Sequence, residues 1–105
     1  MTGHTGRYVH DVCRGYNDRA REIAIGDKGR PRRAATLAEY LRLNSAVDQA
    51  LLLIEDEPVR VQIKRALVEG TGYDSQYQIY CGRRQFYTCK RRVVAGIARI
   101  LNLTE

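Results

Sequence analysis

Four breaks punctuate this chain: Gly26-Asp27-Lys28-Gly29-Arg30-Pro31, Glu55-Asp56-Glu57-Pro58, Gly70-Thr71-Gly72 and Cys81-Gly82. Between them apolar residues recur every three or four positions, the period of a helix buried along one side. That rhythm predicts an all-α fold. Residues 5–25 place Val9, Val12 or Cys13, Tyr16, Ala20, Ile23 and Ala24 on one face, with Arg14, Asp18, Arg21 and Glu22 on the other. Gly26 suits the left-handed position just past that helix. A second helix is expected from Thr36, whose spacing to Glu39 is that of a capping box. Its stripe is Leu37, Leu41, Val47, Leu51 and Ile54, widened by Ala38, Leu43, Ala46, Ala50 and Leu53. By Leu51-Leu52-Leu53-Ile54 it is apolar almost all round, so that end is expected to be buried in the chain's own core or in a dimer. Together these two helices read as an antiparallel hairpin.

Acids before Pro58 make a good helix start, because carboxylates favour the positive end of the helix dipole and proline is tolerated in the first turn. A third helix over residues 58–69 turns Val59, Ile63, Ala66 and Leu67 inward. Residues 73–82 are ambiguous. Asp74 or Ser75 can cap a short helix carrying Tyr77 and Ile79 or Tyr80 inward, whereas Tyr-Gln-Ile-Tyr also has strand propensity.

The last stretch, residues 83–103, is the most informative. Phe86, Cys89, Val93, Ile97, Ile100 and Leu101 form its stripe, and the intervening residues of its first three turns are Arg83, Arg84, Gln85, Tyr87, Thr88, Lys90, Arg91 and Arg92. Such a face suits the major groove of double-stranded DNA: Arg pairs with guanine, Gln with adenine, and Thr or Tyr meets phosphates or thymine methyls. Gln85, Thr88 and Arg92 are assigned to base edges. Arg83 and Arg84, at the helix start, and Lys90 and Arg91 are assigned to phosphates. Tyr87 serves either as a phosphate-bonding hydroxyl or as a packed ring. Charge agrees with this division. Residues 1–57 hold nine basic and nine acidic side chains, residues 58–82 hold three and two, and residues 83–105 hold six and one. Nearly all of the net charge of +6 therefore sits in the final helix.

The remaining chemistry points away from catalysis. No glycine-rich phosphate loop and no Ser/His/Asp set is recognisable. Asp11, Asp18 and Glu22 alternate with arginines at ion-pair spacing, and His4 and His10 read as surface groups. Cys13, Cys81 and Cys89 lack metal-site spacing and read as free thiols, so no metal and no cofactor is expected. The N-terminus lacks the apolar region of a signal peptide and no run reaches membrane-spanning length, so a cytoplasmic protein with no membrane partner is expected. The 105 residues divide into a hairpin (1–57) for packing or dimerisation and a helix-turn-helix (58–105), forming one compact unit.

The segment Gly82-Arg83-Arg84-Gln85-Phe86-Tyr87, then Lys90-Arg91-Arg92, followed by Ile97-Ala98 and Ile100-Leu101-Asn102-Leu103, resembles the C-terminal end of the RinA/ArpU-type phage transcriptional regulators. The resemblance covers residues 58–104. It implies a sigma-factor-like helix-turn-helix, sequence-specific binding of double-stranded DNA and control of phage late genes, with RNA polymerase and a homodimer as further partners. Two rivals share the composition. One is a DNA-binding protein like the small subunit of a phage terminase, which forms a ring. The other is a protein-interaction or inhibitor module whose basic helix meets an acidic partner.

Overall fold

The computed structural model describes residues 3–26, 31–75 and 80–103. Its helices are α1 (Gly3–Arg14), α2 (Tyr16–Ile25), α3 (Pro31–Leu51), α4 (Glu57–Glu69) and α5 (Arg83–Ile100), with a 3₁₀ turn at Tyr73–Ser75. There is no strand among the described residues. The fold is all-α.

Local chemistry sets most boundaries. At the start of α4 the Asp56 carboxylate accepts from the Val59 backbone N–H at 3.2 Å, and Pro58 occupies the first turn. Gly70 closes the helix at φ 71°, and the Thr71 N–H returns to the Ala66 carbonyl at 2.9 Å. Gly26 likewise takes a positive φ of 86° past α2, although its ψ of 179° is extended rather than left-handed helical.

Several expectations need correction. The helix expected over residues 5–25 is broken at Gly15. A Cβ there would stand 2.6 Å from Nη1 of Arg19, so glycine leaves the space that the buried guanidinium needs. Beyond the break the predicted apolar face fails: Ala20 and Ala24 are exposed and Arg19 is buried instead. α3 begins at Pro31 rather than Thr36, because proline costs no hydrogen bond in the first turn and Arg-Arg-Ala-Ala is a strong helix-forming run. Thr36 and Glu39 thus lie inside the helix, and Glu39 pairs forward with Arg42 at 2.7 Å. Tyr80 is exposed rather than inward, and Tyr77 and Ile79 lie outside the described residues.

The leucine-rich end of α3 is buried within the chain only in part. After Leu51 the backbone tightens: the N–H groups of Leu52, Leu53 and Ile54 reach back three residues, to Gln49, Ala50 and Leu51. This turns Ile54 inward and leaves Leu52 67% and Leu53 43% exposed. Leu52→Glu should therefore shift the unfolding free energy by less than about 0.5 kcal/mol, as surface changes do. Chemical denaturation measures that shift, and light scattering of the same variant tests whether Leu52 holds a dimer together.

One core joins both halves of the chain. Val9, Val12 and Cys13 of α1 meet Ala46, Val47, Ala50 and Leu51 of α3, Val59, Ile63, Ala66 and Leu67 of α4, and Phe86, Val93 and Ile97 of α5. Burial pushes the Cys13 thiol up to about 11, so it packs there as an uncharged group. α5 lies chiefly against α3, where Gly96 admits a close approach: a Cβ on it would meet Leu53 at 2.9 Å and Ala50 at 3.3 Å. α1 flanks α5 and crosses to α4.

α2 adds no buried apolar side chain and is held to α3 by polar contacts. These contacts descend α3 as they climb α2, from Tyr16–Asp48 through Arg19–Asn44 to Glu22–Arg33, so the pair is antiparallel. Lys64 of α4 ties in at the top, its Nζ 3.3 Å from the Tyr16 hydroxyl and 4.4 Å from the ring centre.

Candidate nucleic-acid interface

α5 starts at Gly82, whose extended backbone lets its carbonyl accept the first helical bond from Phe86 N–H at 2.9 Å. It ends where Asn102 turns left-handed at φ 59° and the Leu103 N–H returns to the Ala98 carbonyl at 2.9 Å. Eighteen residues at 1.5 Å each give a rod of about 27 Å. Phe86, Val93, Val94, Ile97 and Leu101 are buried on one side. Ile100, assigned to the apolar stripe, is 42% exposed, while Val94, Gly96 and Ala98 are buried.

The opposite side presents Arg84, Gln85, Thr88, Arg91, Arg92, Ala95 and Arg99, all exposed. At 100° per residue they span about a third of the circumference, along nearly the whole rod. Five of the residues expected to meet DNA, Arg84, Gln85, Thr88, Arg91 and Arg92, therefore share one face. Arg99 extends it by two turns. Arg99 lies outside the first three turns that the sequence reading covers, and the signal for it is spacing: it follows Arg92 by seven positions and Arg91 by eight, which puts it on the same side.

Charge at the start of α5 is arranged against helix stability. Cations are favoured at the C-terminal end of a helix, yet Arg83 and Arg84 open α5 and its first turn has no acid. Side-chain capping is absent as well, so the first backbone N–H groups of the helix face outward beside those arginines. Such an end attracts anions.

The other three assigned residues lie apart from the face. Arg83 is ion-paired with Asp74, its guanidinium 5.1 Å from the Tyr73 ring centre. A phosphate would have to displace that carboxylate. Lys90 is half-buried on the α1 side, with Nζ 6.0 Å from the Tyr87 ring centre. The Tyr87 hydroxyl accepts from the Tyr73 N–H at 3.3 Å, and its ring meets Phe86 edge-on at 5.0 Å. Of the two roles open to Tyr87, the structure displays the packed ring.

Those aromatic contacts seat the exposed face of α5. Tyr73 stacks edge-on against Phe86 at 5.4 Å and donates its hydroxyl proton to the Cys81 carbonyl at 3.1 Å. The start of α5 is thereby locked to the connection from α4. No group of three metal-ligating side chains is gathered among the described residues, and none of the described helices is long and apolar enough to cross a membrane. Comparison with family models, curated proteins and solved structures returned no significant match.

Proposed function

We propose that this protein binds double-stranded DNA sequence-specifically through the exposed face of α5, as a phage or prophage transcriptional regulator acting on late genes. One observation carries the reading. A helix anchored by a fully buried Phe86 presents four arginines, a glutamine and a threonine on one face, with no carboxylate between positions 83 and 104. Guanidinium groups and free N–H groups suit phosphates, and Gln, Thr and Arg suit base edges. In this reading α4, the connection and α5 work as a helix-turn-helix, and the likeness of residues 82–103 to the RinA/ArpU-type regulators supplies the biological setting. The protein acts as a binder rather than an enzyme, in the cytoplasm of a bacterial host. RNA polymerase and, on a two-fold operator, a second copy of the chain are its further partners.

The test is the salt dependence of duplex binding. With Arg84, Arg91, Arg92 and Arg99 on the face and Lys90 beside it, each chain should neutralise roughly three to five phosphates, so log affinity should fall against log salt with a slope of about −3 to −5. A flat dependence, or no duplex binding at low salt, would favour a protein partner instead.

A further inference from the structure

A groove of about 460 Å³ runs between α1 and the flank of α5, lined by His10, Tyr87, Lys90, Arg91, Val94 and Ala95. Its volume falls within the range of small-molecule sites, about 300–1,000 Å³. The chemistry of the lining is lopsided. Val94, Ala95 and the Tyr87 ring offer apolar surface, whereas His10, Lys90 and Arg91 offer nitrogen donors and the last two a positive charge each, partial burial and the neighbouring Lys90 lowering the His10 pKa. No carboxylate lines it. Arg21, Arg33, Arg42 and Arg83 each pair with an acid, whereas Arg84, Arg92 and Arg99 of α5 have no ion-pair partner among the described residues. Lys90 and Arg91 have no ion-pair partner among the described residues, and the hydrogen bond of Arg91 is to the Thr88 hydroxyl at 3.4 Å. Asp11 lies next to His10 but is exposed outside the groove.

We propose that this groove binds a small organic anion with an apolar body and one carboxylate, the carboxylate on Lys90 and Arg91 and the body against Val94 and Ala95. A duplex backbone would satisfy the cations but leave the apolar wall uncovered, whereas an aryl or alkyl carboxylate satisfies both. Arg91 also belongs to the exposed face of α5. An occupied groove therefore draws that guanidinium away from phosphate and weakens duplex binding, a consequence that rests on the DNA-binding reading.

The experiment is a calorimetric titration of the full chain, without DNA, using 2-naphthoate and its neutral amide. The carboxylate should bind at least tenfold more tightly. Lys90→Gln should erase that margin, and Ala95→Leu, at an exposed position, should abolish binding of both. Amide chemical-shift changes should gather on His10 and positions 87–95. Equal binding of acid and amide, survival of binding in Ala95→Leu, or shifts elsewhere would overturn the proposal. In a second arm, 2-naphthoate should weaken duplex binding to the parent chain several-fold, and its neutral amide at the same concentration should not. Duplex binding with no naphthoate binding sinks the groove site alone. Naphthoate binding with no duplex binding sinks the DNA reading and leaves the groove site standing.

Discussion

Phe86→Ala is expected to lower the free energy of unfolding by about 3–5 kcal/mol, the usual range for emptying a buried phenylalanine site. Phe86 is completely buried, and it is the ring on which Tyr73 and Tyr87 both pack edge-on. Its removal leaves a void at the point where α5 meets the connection from α4. The two tyrosines have little freedom to fill it. Tyr73 is bonded to the Cys81 carbonyl through its hydroxyl, and its N–H is bonded to the Tyr87 hydroxyl. The helix start should therefore loosen, and duplex binding should fall although no charge has changed. Denaturant titration gives the first effect. A cost below about 1 kcal/mol would mean that α5 is not seated through Phe86.

Arg19→Ala should be the other large loss, about 2–4 kcal/mol, because two buried acceptors lose their donor. Arg19 Nε donates to Asn44 Oδ1 at 2.7 Å, and Nη2 donates to the Val12 carbonyl, which the break at Gly15 sets free. Asn44 in turn donates to the Tyr16 carbonyl at 3.2 Å. α2 has no buried apolar side chain, so this network is the buried part of its attachment to α3, beside the partly buried Tyr16. Arg33→Ala supplies the contrast. Its ion pair with Glu22 joins the same two helices but is partly exposed, so its loss should cost at most about 1 kcal/mol. Equal effects of the two substitutions in the same denaturation assay would show that α2 is held by surface charge.

These cases mark where periodicity was a sufficient guide. Val59, Ile63, Ala66 and Leu67 are buried as their spacing demands, and Asp56 with Pro58 and Gly70 bound α4 by capping chemistry that is visible residue by residue. The face of α5 is legible for the same reason, since a helix buried at Phe86, Val93 and Ile97 has no choice about what it exposes. Periodicity failed wherever a polar side chain or a tightened turn took over. Arg19 is buried in a helix whose apolar spacing points elsewhere, because its partners, Asn44 and a carbonyl freed by the break, come from tertiary structure. Leu53 is 43% exposed where three consecutive i−3 hydrogen bonds rotate it off the stripe, and Leu52, which lies off the stripe, is exposed as well. At the candidate interface, Arg83 was legible as basic but not as paired. Asp74 lies nine positions away across a connection whose path the sequence left open between helix and strand.

The measurement that bears most directly on the central claim is a pair of titrations, with a selected and a random duplex, for each substitution on α5 after its fold has been checked. Arg84→Ala and Arg91→Ala should weaken binding to both duplexes about equally, and each should lower the salt slope by about one. Gln85→Ala, Thr88→Ala and Arg92→Ala should each cost roughly 1–3 kcal/mol on the selected duplex and little on random DNA, because only the selected site offers matching donors and acceptors. If these three variants lose affinity equally on both duplexes, α5 is an electrostatic anchor and does not read sequence.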